Sequence, residues 1–274
     1  MSPVYSLAYL TTNGIAPAEA VTLAAKVGYH GVGIRILPAS PGGAFAPLID
    51  DAASLRETTR RIADTGVGVF DVEIVRIAPD FDIARYGRFL DACAAVGAKA
   101  VLVAGDDPDE SRMTQSFAAF CAAAARFNLT ADLEFMPWTD VRDCSTALRI
   151  VQNAGQANGG VLVDALHWGR STSSLADVEA IPRNRLNYAQ ICDAPAGIPK
   201  TSAELIHTAR CARLLPGKGG IDLVSLFAAL PRDLAISIEV PHETRIAAIG
   251  VEEWATQALA AAKAVLARSE SAVS

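Results

Sequence analysis

Short apolar runs alternate along this chain with stretches whose apolar residues recur at helical spacing. Ser6–Thr11, Gly31–Ile36, Val67–Ile74, Ala100–Ala104, Thr130–Phe135, Val161–Asp164, Asn187–Cys192 and Ala235–Val240 read as strands. Runs this apolar suit strands buried on both faces, as in a parallel sheet. Pro17 opens a helix from its favoured first-turn position, and Gly28 stops it. Further helices are predicted over Ser54–Thr65, Ile83–Val96, Val141–Ala154, Ile221–Leu230 and Val251–Ala267. Before the fifth strand, Met113, Phe117, Phe120, Ala124 and Phe127 fall at 3.6-residue spacing. Eight strands alternating with helices predict a single (β/α)8 TIM barrel over residues 1–274, with residues 268–274 as a frayed tail. The rival is an open doubly wound sheet. It calls for a glycine-rich phosphate turn after the first strand, and LAYLTTNGIAP is not G-x-G-x-x-G.

In a barrel the C-terminal strand ends converge on one mouth, where active sites sit. The stretch VLVDALHWGR carries Asp164 at the end of a buried strand, with His167 three residues on. Strands five, six, seven and eight carry Glu134, Asp164, Gln190 and Glu239 near their ends. Each has an ordinary alternative. Glu134 can pair with Arg142, Asp164 can cap a helix, Gln190 can bond backbone, and Glu239 can pair with Arg245. Together they make three carboxylates at one mouth, which repel unless a cation holds them. A set of hard oxygen donors favours Mg²⁺ or Mn²⁺ over zinc.

Composition narrows the class. Of 274 residues, 51% are apolar, enough for one large core. No uncharged apolar run is long enough for a membrane span, and the N-terminus has no basic leader, so a cytoplasmic protein is expected. The five cysteines are scattered without a CxxC, which argues against a disulfide framework. A net charge of −6 with no basic run argues against nucleic acid. A small molecule is the expected partner, and a homo-oligomer is left open.

Four segments resemble the xylose-isomerase-like barrels, a group of sugar-phosphate isomerases and epimerases that also holds metal-dependent endonucleases. LEFMPW is similar to the Glu-bearing fifth strand, VLVDALHWG to the D-x-x-H segment, and ISIEVP to the closing strand. RLLPGKGGID resembles the R-x-x-P-G-x-G segment after strand seven. The resemblance implies metal ligands Glu134, Asp164, Gln190 and Glu239, with His167 and Arg213 contacting substrate. Many members carry histidine where Gln190 stands; Q-I-C-D resembles the hydroxypyruvate isomerase branch. The segment between Gln190 and Arg213 is longer than in those enzymes, and the usual acid of strand two is replaced by Gly33. With only four histidines the chain departs from the endonucleases.

The expected activity is isomerisation or epimerisation of a small sugar or hydroxy-carbonyl compound through a metal-stabilised enediolate. Glu134 and Glu239 would exchange the proton. Arg35, at the end of strand two, is a further candidate for an acidic substrate group, and the loop 38–47 around Phe45 is a candidate lid. The alternative activity is a lyase of the dehydroshikimate dehydratase type, which begins with the same proton abstraction. A non-catalytic sugar-binding barrel is a third class, disfavoured by four intact ligand positions.

Overall fold

In the computed structural model, which describes residues 3–272, eight parallel strands close into a barrel. The strands are β1 (Tyr5–Leu7), β2 (Gly31–Arg35), β3 (Gly68–Ile77), β4 (Ala100–Gly105), β5 (Thr130–Glu134), β6 (Gly159–Asp164), β7 (Tyr188–Ile191) and β8 (Ala235–Ile238). Each pairs with its sequence neighbours, and β8 closes on β1 through Ser6 opposite Ser237. The helices are α1 (Pro17–Val27), α2 (Ala52–Thr65), α3 (Gly87–Ala95), α4 (Glu110–Ala125), α5 (Cys144–Ala154), α6 (Ala165–Arg170), α7 (Leu175–Glu179), α8 (Ser202–Cys211), α9 (Leu223–Ala229), α10 (Glu243–Ile249) and α11 (Val251–Ala272). Among the described residues, no helix is long and apolar enough to cross a membrane.

Local chemistry explains the boundaries. Aspartates 51, 109, 143 and 222 accept from backbone amides at the starts of α2, α4, α5 and α9. Gly28 ends α1 with φ +96°, a left-handed conformation that a side chain would strain. The main core lies between sheet and helices and includes Phe117, Phe120 and Trp254. A smaller cluster of Ile74, Leu102, Met136, Leu162 and Tyr188 packs together as a second core.

Several expected boundaries shift. The first strand stops at Leu7 and continues as a 3-10 turn over Tyr9–Thr12, where Thr12 bonds back to Tyr9. Helix α5 begins at Cys144, not Val141, because Asp143 caps it and Val141 accepts from Met136 and Thr139. The expected tail is helical as far as Ala272, with Ser269 buried and bonded to Leu266; residues 273–274 lie outside the described residues. The long segment before Arg213 holds α8, opened by a Thr201–Glu204 capping box.

Two acids are buried below the mouth. Asp132 accepts from Thr130 Oγ1 at 2.6 Å and Asn187 Nδ2 at 2.7 Å, and burial lifts its carboxyl to about 6. Asp71 is fully enclosed, with one oxygen lacking a partner. Burial, then the charges of Glu73 and Asp132, push its carboxyl up to about 8. Gly33 makes room for it: a Cβ there would lie 3.0 Å from both Asp71 oxygens.

This predicts a pH effect on stability. The folded state holds a proton on Asp71 that the unfolded chain releases above about pH 4. That contribution is fully present below the unfolded value and is lost as pH rises through about 8. Asp71→Asn, which stays neutral, should therefore lose less Tm than the parent on going from pH 6 to 9 in scanning calorimetry. An identical loss in both proteins would contradict it.

Candidate functional site

Period-two alternation along the strands sets Asp132 with Glu134, Leu162 with Asp164, Tyr188 with Gln190, and Gly33 with Arg35. The second residue of each pair lies at the C-terminal end of its strand. Asp164 and Gln190 are direct neighbours across the β6–β7 pair. Glu239 follows the last residue of β8, and its amide donates to Ile191 O. Its chain neighbour Val240 is fixed on both sides, with its amide donating to Thr11 Oγ1 at 2.7 Å and its carbonyl accepting from Trp254 Nε1 at 2.8 Å.

Arg213 lies at the centre of the cluster. Its Nη1 is 2.5 Å from Asp164 Oδ2 and its Nη2 is 2.7 Å from Glu239 Oε2. Its Nε donates to Ala209 O. Asp164 also does the ordinary work expected of a cap, its Oδ1 accepting from the Leu166 and His167 amides at the start of α6. The other ordinary alternatives do not form: Arg142 bonds the Thr139 carbonyl, and Glu239 pairs with Arg213, not Arg245. The Gln190 amide lies between two acids. With its nitrogen turned inward it donates to Asp164 Oδ2 at 3.0 Å and Glu134 Oε1 at 2.9 Å. His167 places Nε2 3.7 Å from Glu134 Oε1, with its ring edge-on to Trp138.

The electrostatics follow from burial and proximity. Burial, then the charges of Asp164 and Glu239, raise the Glu134 carboxyl well above the usual range, against the pull of Arg213. Glu239 is pushed up to about 8 by burial, again opposed by Arg213. Burial works against the Asp164 carboxylate too, but Arg213 beside it outweighs that and holds it low. His167 drops to about 4 by burial, so it is neutral at pH 7.

These residues fit a divalent cation. One ligand atom each from Glu134, Asp164 and His167 lie within 4.8 Å of one another. The His167 Nδ1 is buried without a partner. Mutual repulsion among the acids is what a cation relieves, and the Gln190 amide can turn its oxygen inward to join. Glu239 stands apart from this tight trio, across the Arg213 guanidinium.

A cavity of about 50 Å³ opens above the cluster, lined by Glu134, His167, Arg213 and Glu239 and by residues that sequence reasoning did not single out. Glu73 on β3 is buried and ion-paired to Arg35 at 3.1 Å. Its signal was the D-V-E alternation at 71–73, two acids at period two in an apolar strand. Arg35 also stacks over Tyr9, 4.6 Å from the ring centre. Phe45 in the loop 38–47 is exposed, while Ala39 of that loop reaches the cavity wall.

The loop bearing Arg213 is fixed by Asp193. That buried carboxylate accepts from the amides of Ala194, Gly219 and Ile221, and the Asp193 and Leu214 backbones exchange two hydrogen bonds. Gly219 is obligatory here: a Cβ would fall 2.2 Å from Ala194 O.

A profile of the xylose isomerase-like TIM barrel family matches residues 21–265. A 3-dehydroshikimate dehydratase of Pseudomonas aeruginosa is 25% identical over 236 residues, which cover 81% of this chain and 35% of that protein. The chain thus spans about a third of the length of that relative. A xylose isomerase-like TIM barrel/4-hydroxyphenylpyruvate dioxygenase fusion protein superposes with a TM-score of 0.80 at 20% identity, covering 95% of this chain and 42% of its own. The IOLI protein with a bound zinc atom gives 0.76 at 17%, covering 96% and 98%. A D-allulose 3-epimerase from Methylomonas sp., in complex with D-allulose, gives 0.69 at 17%, covering 96% of each chain. These structural likenesses concern the fold; the profile match, across most of the length, places this chain in the xylose isomerase-like TIM barrel family of enzymes.

Proposed function

We propose that this protein is a divalent-metal-dependent isomerase or epimerase of a small sugar or hydroxy-carbonyl compound. The observation that carries the reading is the convergence of Glu134, His167, Arg213 and Glu239 on one cavity, with Asp164 and Gln190 packed directly against them. Glu134, Asp164 and Gln190 would hold Mn²⁺ or Mg²⁺, with Glu239 completing the set on releasing Arg213, and His167 close enough to Glu134 and Asp164 to join or to hold a substrate oxygen. When bound, the ion supplies Lewis-acid polarisation of the substrate oxygens.

The chain's own groups do the rest. Glu134 and Glu239 come from β5 and from the end of β8, with Arg213 and Asp164 between them. One takes the proton from the carbon beside the carbonyl, and the other returns it. Arg213 keeps Asp164 and Glu239 apart and fixed, which comes before any contact with substrate. Neutral His167 serves as a hydrogen-bond partner for a substrate hydroxyl.

A second reading is a dehydratase of the dehydroshikimate type, favoured by the Pseudomonas aeruginosa relative. It shares the first proton abstraction and differs in the loss of a β-hydroxyl. Incubating Mn²⁺-loaded protein with ketoses, hydroxypyruvate and dehydroshikimate in deuterated water separates the two. Deuterium uptake without net dehydration is expected for the isomerase. Loss of water from dehydroshikimate alone would give the second reading the site.

Two substitutions test the roles. Glu239→Gln should leave the fold intact and lower turnover by about 10²-fold or more; near-normal turnover would remove Glu239 from proton transfer. Arg213→Gln should tighten Mn²⁺ binding by about tenfold, because a cation competing for Asp164 and Glu239 is gone, while lowering the Tm of the metal-free protein. Weaker Mn²⁺ binding in a calorimetric titration would mean that the guanidinium organises the ligands more than it opposes the ion.

A further inference from the structure

The mouth carries a second charge pattern beside the carboxylates. Arg35, Arg76, Arg210 and Arg213 all line the same cavity. Their side-chain exposure rises from 2% at Arg213 through 13% at Arg35 to 28% at Arg76, and Arg210 is exposed at the rim. The cations thus mark a route inward. Arg213 is taken by Asp164 and Glu239, Arg35 by Glu73, and Arg76 by Asp106 at 2.7 Å. Among the described residues Arg210 makes no ion pair. Partial burial, and then the charges of Arg76 and Arg35, make its guanidinium harder to keep protonated than usual.

A cation in the last turn of α8 is favoured by the helix dipole. That accounts for one arginine on the helix, not for its lying among two others. Like charges gathered at one opening repel, and an anion placed between them relieves the repulsion. An unmet donor points the same way: Arg35 Nε, on a residue of the cavity wall, is buried without an acceptor. The acids that face these arginines, Glu73 and Asp106, each already hold one of them, while Glu134 and Glu239 lie at the buried end.

We propose that Arg210, with Arg35 and Arg76, forms an anion subsite at the rim of the mouth, so that the substrate is a hydroxy-carbonyl compound carrying a carboxylate or a phosphate ester. This deepens the function proposed above and rests on it for the reacting end. The hydroxy-carbonyl end lies down among Glu134, His167 and Glu239, and the acidic end lies up at the arginine forks, which match planar or tetrahedral oxyanions.

Binding, read apart from turnover, tests it. Mn²⁺-loaded full-length protein is titrated calorimetrically with three pairs: dehydroshikimate and its methyl ester, hydroxypyruvate and hydroxyacetone, dihydroxyacetone phosphate and dihydroxyacetone. At least one acid should bind about tenfold or more tightly than its uncharged partner. The first two pairs report a carboxylate and the third a phosphate. In Arg210→Gln that preference should fall by about tenfold while Mn²⁺ affinity stays the same, and Arg210→Lys should restore part of it. Equal binding within every pair, no binding of any acid at millimolar concentration, or a preference untouched by Arg210→Gln would overturn the subsite. Acid binding that depends on Arg210 with no turnover of any compound would instead overturn the proposed activity and leave the subsite standing. Turnover of an uncharged ketose indifferent to Arg210 would do the reverse.

Discussion

A guanidinium enclosed between two carboxylates sets the terms for the whole barrel mouth. Charges removed from water cost several kcal/mol each unless they are closely paired, and Arg213 is paired with Asp164 and Glu239 at hydrogen-bonding distance. Three acids against one arginine leave an excess of negative charge in a closed space. Glu134 has no arginine of its own, with the Gln190 amide and neutral His167 beside it, and burial and the neighbouring acids favour its protonated form. The fold therefore tolerates the acids without an ion, yet favours a cation beside Glu134.

Much of this was legible in the residue order, for a physical reason. Strand side chains alternate with period two, so an acid at the end of a buried apolar run can only face the lumen or the helix layer. Four such runs ending in oxygen donors gave Glu134, Asp164, Gln190 and Glu239 without coordinates. The strand count and its parallel order followed from the alternation with helices. What stayed hidden depends on distance. The pairing of Arg213 with Asp164 joins residues 49 apart, and no local pattern encodes it. Arg210 was obscured because the segment before Arg213 looked like an insertion, although T-S-A-E already spelled a capping box. Glu73 lies within the expected strand Val67–Ile74 but was not read as a site residue, and its partner Arg35 sits 38 residues away on another strand, which no local pattern encodes.

The missing acid of strand two has a similar explanation. Gly33 does not leave a gap, because the Asp71 carboxyl from the neighbouring strand fills the space where a Cβ would stand. Polar character lost on β2 reappears on β3, as Asp71 below and Glu73 above. The space beside a glycine on one strand can thus be filled by a side chain of the next.

The Asp193 clamp also bears on how such a barrel can change over time. The backbones of Asp193 and Leu214 are zipped together, so everything between them leaves the barrel and returns to the same point. Loop length costs little once the ends are held. Residues 195–208 can lengthen, shorten or change character most freely, whereas Ala209, whose carbonyl holds Arg213 Nε, belongs with the fixed end. Arg213 is thus the last residue of the loop, next to the pair that closes it, while Arg210 lies one turn further out on α8, so the exposed part of the excursion can vary around a fixed exit point.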